Sequence, residues 1–282
     1  MSRVGLRLTG SRAPLAVSIL DAQPSCQCRW RDQPHLVEEM KEFRARRARL
    51  PDIADLRELY RSEAGCQIVH DSILPRGLAD PYVLEVDGEI AGYAGVWNKH
   101  FPNRIMEIFT IPGYRELRPE LIRALGDESG AKELEVQTNI LDGRNLIERC
   151  ATSVWVEKLL FEEGDEPNLE RRSLLFRRRQ GTDTGPEGPW IVEEKGELLG
   201  AGGLLTHYNP PYADLYMEVV NSARRRGVGS YLVQELRHVC AEQGLRPAAR
   251  CDPNNHASRR TLERGGLQLC GEILAGALRG EP

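Results

Sequence analysis

No apolar run in this sequence approaches the length that a membrane-spanning helix needs. The seven cysteines are scattered and odd in number, and no CxxC or His–Cys ligand spacing accompanies the closest pair, Cys26 and Cys28. This pattern argues against a structural zinc or other metal site and predicts reduced thiols, as in a cytoplasmic protein. The fingerprints GxGxxG and GxxxxGK[ST] are also absent, which excludes the common dinucleotide and P-loop sites.

What the sequence does contain is a glycine turn between a strand and a helix. Leu215–Val220 is an apolar run suited to a buried strand, and a helix is predicted to start near Ser230. Between them lies Arg224-x-x-Gly227-x-Gly229. Glycines let backbone N–H groups approach a ligand closely, and the start of a helix favours an anion. This stretch therefore predicts a cradle for phosphate or pyrophosphate.

A second motif follows after one predicted helix and one predicted strand. It runs from Asn255 to Leu267 and reads NHASRRTLERGGL. The first motif resembles the Q/R-x-x-G-x-G/A loop of the GNAT N-acetyltransferase superfamily, and the second resembles its NxxSxxxLEKxGF element. The resemblance covers the last third of the chain and implies an α/β (α+β) fold with a mixed, mostly antiparallel sheet that is flanked by helices and splays beside its central strand.

The resemblance also implies acetyl-CoA as cosubstrate and an amine of a small molecule or peptide as acceptor. Backbone groups of Met217 and Val219 would meet the pantetheine arm, and Asn255 would either contact the coenzyme or cap its own helix. The expected coenzyme set is Met217, Val219, Arg224, Arg225, Arg226, Gly227, Val228, Gly229, Ser230, Asn255 and Ser258.

Direct transfer from the thioester to an amine needs a group that accepts the amine proton. Glu218 is one candidate, because some superfamily members have a carboxylate on this strand. Asp214 and Tyr208 precede it in LTHYNPPYADLY and are candidates for the acceptor side. Many members have a tyrosine in the second motif as general acid, but Leu262 stands at that position here.

The chain also contains an internal repeat, since residues 81–95 align with residues 189–203 without a gap. The match resumes at 105–108 against 216–219, which puts Glu107 at the position of Glu218 and favours a structural role for both. Continuing it places Glu116 and Arg118 opposite Gly227 and Gly229. The chain therefore resembles a tandem GNAT protein whose first copy is degenerate and serves as a wall of the acceptor cleft.

The expected domains are a degenerate copy at 40–180 and an acetyltransferase copy at 189–282, joined by the turn-rich segment Gly181–Pro189. The sequence leaves open which copy contains a strand near 172–178. Residues 1–39 are expected to be poorly ordered, either as a transit peptide or, as we favour, as an upstream region translated from a mistaken start, because Met40 opens a GNAT-like beginning.

Rival functions remain at this stage. One is transfer of a longer acyl group, and another is a non-catalytic acyl-CoA-binding sensor or scaffold. The net charge of −4 argues against a general binder of polyanions, and the arginine runs at 44–49 and 171–179 are interpreted as solvated faces, so no nucleic-acid partner and no membrane partner are expected. Oligomeric state is not readable from the sequence.

Overall fold

The computed structural model describes residues 41–167, 169 and 173–280. The expectation of poor order over residues 1–39 lies outside the described residues. None of the described helices has the length and apolar character that crossing a bilayer requires.

Twelve strands and five α-helices make up the described fold. The strands are β1 (Phe43–Arg47), β2 (Ala79–Val86), β3 (Glu89–Trp97), β4 (Arg104–Thr110), β5 (Glu133–Gln137), β6 (Ala151–Glu163), β7 (Leu175–Arg178), β8 (Trp190–Glu194), β9 (Glu197–Leu205), β10 (Tyr212–Val219), β11 (Arg246–Cys251) and β12 (Leu267–Leu278). The helices are α1 (Ala54–Ala64), α2 (Arg118–Ser129), α3 (Gly143–Cys150), α4 (Val228–Glu242) and α5 (His256–Arg264).

The order of these elements repeats, as the sequence predicted. We call β1 to β6 the first copy and β7 to β12 the second copy. The two aligned hairpins turn at Asp87-Gly88 and Lys195-Gly196, where all four residues have positive φ. Two such residues give the turn that matches the twist of a hairpin. β7 pairs with β8 as β1 pairs with β2, so the strand near 172–178 is the first strand of the second copy.

All twelve strands form one sheet, and the two copies exchange their last strands within it. The order is β1-β2-β3-β4-β5-β12-β6-β11-β10-β9-β8-β7. β12 therefore lies between β5 and β6 of the first copy, while β6 lies between β12 and β11 of the second copy. Each copy is completed by a strand that the other copy supplies.

The sheet is mostly antiparallel, with one parallel contact in each copy. β4 pairs with β5 only at Arg104–Glu133 and Ile105–Leu134. β10 pairs with β11 only from Tyr212–Arg246 to Asp214–Ala248. Beyond these short contacts the strands have no pairing with each other, and the expected splay beside the central strand is confirmed in both copies.

Helices cover the sheet differently in the two copies. In the first copy α1 packs on one face, with Tyr60 in contact with Tyr93 and Phe109, while α2 and α3 contribute to a core on the opposite face. In the second copy α4 and α5 pack on one face only. The chain from β7 to β8, all of it described, contains no helix.

In the second copy a loop connects β7 to β8, where the first copy has α1 between β1 and β2. A Cβ on Gly188 would lie 2.6 Å from the backbone oxygen of Gly202, and one on Gly203 would lie 2.8 Å from Pro189. The predicted linker therefore lies flat on a glycine-rich part of β9, which side chains at these positions would prevent. Arg179 fixes it further by donating to the carbonyl oxygens of Gly188 and Asp183.

Candidate functional site

The glycine turn forms as the sequence predicted, between β10 and α4. Arg225 and Gly227 both have left-handed backbone conformations, with φ of 61° and 81°. Gly227 is the N-cap of α4, and Val228, Gly229 and Ser230 form the first turn of the helix. The first N–H groups of a helix have no intrahelical partner, so they are available to an anion at this point.

A cleft of about 720 Å³ opens beside this turn, between β10 and α5. Of the eleven residues expected to bind the coenzyme, ten line it, and they are Met217, Val219, Arg224, Arg225, Gly227, Val228, Gly229, Ser230, Asn255 and Ser258. Two motifs that are distant in sequence thus meet at one cleft. Arg226 is the exception, because its Nη2 lies 2.5 Å from Oε2 of Glu194.

The cleft is strongly basic. Four arginines line it, Arg224, Arg225, Arg260 and Arg264, against one carboxylate, Glu218. Among the described residues none of these four arginines is in an ion pair. Sequence reasoning missed Arg260 and Arg264, although their i, i+4 spacing on α5 puts both on one helix face and was a usable signal.

The N-terminus of α5 is held by its own cap. Oδ1 of Asn255 accepts a hydrogen bond from the backbone N–H of Ser258, with a distance of 3.0 Å. The capping role of Asn255 is therefore confirmed, and it satisfies one of the free donors at the helix start. Asn255 also lines the cleft, so the cap leaves it close to a ligand.

The corresponding turn of the first copy is built differently. α2 follows Leu117, its N-cap, and begins with Arg118 and Pro119. Among the described residues of this turn none has positive φ, whereas the second copy has two. The side chain of Glu116 is 92% exposed and lies 3.5 Å from Arg149. No glycine stands at the N-cap or in the first turn of α2, so side chains surround the backbone N–H groups there.

The strand pairing corrects one detail of the sequence alignment. Gly95 pairs with Glu107, and its counterpart Gly203 pairs with Tyr216 rather than Glu218. The sequence alignment is therefore two residues out of register with the strand pairing, which likewise sets Gly92 opposite Thr110 and its counterpart Gly200 opposite Val219. Glu107 is therefore no counterpart of Glu218.

Glu218 and Asp214 occupy different environments. Glu218 is exposed and lines the basic cleft together with a second recess, of about 560 Å³, whose other wall is the loop at Gly185, Pro186 and Glu187. Asp214 is 4% exposed and lies four residues earlier on β10, about 13 Å away by strand geometry.

Asp214 belongs to a buried network with Tyr208. Nε of Arg250 lies 3.3 Å from Oδ2 of Asp214, and Nη2 of Arg250 donates to the hydroxyl of Tyr208. Burial raises the pKa of Asp214, although Arg250 opposes the shift. His207 packs on Tyr208, and burial together with the nearby arginines lowers its pKa. The structure thus brings Asp214 and Tyr208 together but away from the basic cleft.

The first copy reaches this network through the segment after α1. Oδ1 of Asn209 accepts from the N–H of Ile68, and its Nδ2 donates to the carbonyl oxygen of Cys66. Tyr212 donates to the carbonyl oxygen of Gly65. The first copy therefore lies against the second copy on the side of Asp214 and Tyr208.

Several described arginines of the two runs outside the cleft form ion pairs within the fold. Arg46 and Arg47 pair with Glu85 and Asp80 across β2. Arg177 pairs with Asp183 and Glu193. These described side chains are neutralised by carboxylates.

Comparison with known proteins finds one family. The family model described as Acetyltransferase (GNAT) family matches residues 144–266, from α3 of the first copy to the glycines before β12. No curated protein matches the sequence significantly.

Several solved structures share the fold. An acetyltransferase of the GNAT family from Colwellia psychrerythraea has a TM-score of 0.66 at 18% identity, covering 84% of this chain and 100% of its own. A tandem GNAT protein from the clavulanic acid biosynthesis pathway has a TM-score of 0.53 at 13% identity, covering 86% of this chain and 99% of its own. A GCN5-related N-acetyltransferase from Sphaerobacter thermophilus has a TM-score of 0.52 at 15% identity, with coverages of 85% and 97%. At these identities the likeness concerns the fold alone.

Proposed function

We propose that this chain, in which residues 144–266 match the family model described as Acetyltransferase (GNAT) family, transfers an acetyl group from acetyl-CoA directly to an amine within a ternary complex. The acceptor is a small molecule or a peptide. The coenzyme binds once per chain, in the basic cleft of the second copy. The protein acts in the cytoplasm, a proposal that the five free cysteines among the described residues support.

The observation that carries this proposal is the basic cleft itself. A helix start, a glycine turn and four arginines outside ion pairs converge on it from α4, α5 and the end of β10. Hydrogen bonds in which a guanidinium meets a phosphate oxygen are roughly twice as strong as neutral ones. The first copy has no such combination, which is why we assign one coenzyme site rather than two.

The remaining groups of the cleft fit the rest of the coenzyme. Beyond Asp214 the edge of β10 that faces β11 has no strand partner, so its backbone groups are free to bond an extended amide chain. Met217 and Val219 line the cleft along this edge. A backbone N–H on the same edge would polarise the thioester carbonyl where negative charge develops.

For the proton of the amine we assign Glu218 as acceptor, with Asp214 and Tyr208 as the alternative. Glu218 is exposed and stands where the cleft and the loop recess meet. Its lack of a counterpart in the first copy removes the reason for giving it a structural role. Asp214 is buried against Arg250, so it acts as a base only if the acceptor enters beside Tyr208.

Thiol release with a panel of amines tests the proposal. We expect turnover with acetyl-CoA and one bound coenzyme per chain by calorimetry. Glu218→Gln should lower kcat and abolish the fall of kcat at low pH, without changing coenzyme affinity. The matched control Glu197→Gln, on the exposed end of β9, should leave kcat and its pH dependence unchanged. Coenzyme binding that survives replacement of Arg224 and Arg260 together would contradict the assigned cleft.

A second function deserves the same test, because Leu262 stands where many members have a tyrosine as general acid, and it is only 3% exposed. No hydroxyl at that position can protonate a leaving thiolate. A non-catalytic sensor or scaffold that binds acyl-CoA would bind the coenzyme in the same cleft and show no turnover with any amine. Turnover with acetyl-CoA would exclude it.

A further inference from the structure

The first copy contains a cavity that the proposed transfer does not use. It has a volume of about 300 Å³ and lies where the pairing of β4 with β5 ends. Tyr60, Ile68, Phe109 and Leu146 give it largely apolar walls. An apolar cavity with a few polar groups is the usual form of a small-molecule site.

One polar group in its lining is a buried carboxylate with a free oxygen. The side chain of Glu107 is 1% exposed, and its Oε1 accepts a hydrogen bond of 2.6 Å from the hydroxyl of Tyr93. Oε2 has no partner among the described residues. Burial raises the pKa of Glu107, although Arg57 opposes the shift with its Nε 3.6 Å from Oε1. A buried carboxylate in this state is stabilised by any donor that reaches it.

The surroundings of this carboxylate favour a cationic donor. The charged side chains in the lining are Glu63, Glu107 and Glu135 against Arg115 and Arg118, with His70 beside Glu135. The carboxylates outnumber the guanidinium groups by one, so an ammonium group would be attracted here.

The cavity also has a cationic group that no carboxylate neutralises. Arg118, the first residue of α2, lines it, and its Nε donates to Oγ1 of Thr110 over 2.7 Å. Within the described residues Arg118 has no ion pair, whereas the neighbouring Arg115 is paired with Glu63. Burial and the neighbouring charge of Arg115 lower the pKa of Arg118.

We propose that this cavity binds a small amino acid with an apolar side chain, its ammonium group on Glu107 and its carboxylate on Arg118. A free oxygen, a free guanidinium and an apolar wall match the three parts of such a molecule. The site is separate from the coenzyme cleft, since β5, β12, β6 and β11 lie between β4 and β10 in the sheet. It needs no diphosphate, so the absence of a glycine turn in the first copy does not oppose it.

Three probes that share one apolar body separate the two polar contacts. They are L-leucine, 4-methylpentanoate, which lacks the amine, and 3-methylbutylamine, which lacks the carboxylate. Calorimetry on the full chain should show L-leucine binding at least tenfold more tightly than either analogue. Glu107→Gln should remove the advantage that the amine gives, and Arg118→Gln the advantage that the carboxylate gives.

Two further variants serve as controls. Glu116→Gln changes an exposed carboxylate of the same copy outside the cavity and should leave L-leucine affinity unchanged. Leu146→Phe fills the cavity and should abolish binding of all three probes, while coenzyme affinity measured in the same sample shows that the chain is folded. The proposal is overturned if L-leucine fails to bind at millimolar concentration, if it binds no more tightly than its analogues, or if its affinity survives Leu146→Phe.

Discussion

Replacing Gly229 with alanine is expected to disturb the basic cleft through a single methyl group. A Cβ at this position would lie 2.9 Å from Cγ2 of Thr261, on α5, and 3.5 Å from Cγ2 of Val219. Overpacking of this kind costs about 1–3 kcal/mol, against up to about 1 kcal/mol that alanine gains over glycine in a helix. We expect the free energy of unfolding to fall by about 1 kcal/mol, and coenzyme affinity to fall several-fold because α5 must move.

A second substitution checks this reasoning directly. Thr261→Ser deletes the methyl group that the new Cβ would meet and keeps the hydroxyl, which bonds the carbonyl oxygen of Ala257. The double variant Gly229→Ala/Thr261→Ser should therefore recover most of the lost stability and affinity, as measured by urea denaturation and calorimetry. A double variant that is no better than Gly229→Ala alone would refute the steric explanation.

Gly229→Glu adds a charge to the same position. A carboxylate about 6 Å from one phosphate charge costs roughly 3 kcal/mol at an effective dielectric constant of about 20, which corresponds to a loss of affinity of about 100-fold or more. Gln243→Glu makes the same change of net charge at the far end of α4 and should leave affinity unaltered. Equal losses in both variants, or none in Gly229→Glu, would contradict an anion site at the start of α4.

Three further outcomes are expected. Removing residues 267–282 should abolish cooperative unfolding of both copies as seen by circular dichroism, whereas removing only residues 281–282 should not; survival of a folded first copy would count against the strand exchange. Because burial raises the pKa of Glu107 above its ordinary 4.5, the folded state holds this proton more tightly and the stability contributed by the protonated form is lost as pH rises. The free energy of unfolding of Glu107→Gln relative to wild type should therefore increase in urea titrations as the pH rises above the ordinary pKa of a glutamate, and a flat difference would show that Glu107 titrates normally. Burial raises the pKa of Cys66 and of Cys240 to about 12, so site-resolved alkylation at about pH 8 should be roughly a thousandfold slower than for an exposed thiol and should become fast in urea.

Local features of the sequence predicted much of the geometry of the basic cleft. Gly227 and Gly229 predicted the turn, and Asn255 predicted the start of α5. Both predictions were possible because backbone conformation and helix capping depend on the residues at those positions. In each case the residues that give the prediction lie within a few positions of the turn or helix start that they predict.

Features set by distant parts of the chain were not predictable in this way. The sequence of β12 does not predict that this strand lies between β5 and β6. The neighbours of a strand in a sheet depend on the packing of the whole fold. The register of Glu107 was wrong for a related reason, since the pairing of two neighbouring strands depends on the connection between them and not on the local sequence of either strand. Glu107 and Arg118 line the same cavity because β4 and β5 diverge. No spacing of residues in the sequence predicts this divergence.

The position of β12 has a consequence for how the chain is made. The ribosome synthesises the first copy early, yet the sheet edges of β5 and β6 gain their partner only when the C-terminus emerges. Until then both strands present unpaired backbone to other nascent chains, a known route to aggregation. The part of the protein that is translated first thus completes its sheet only when the last strand has been made.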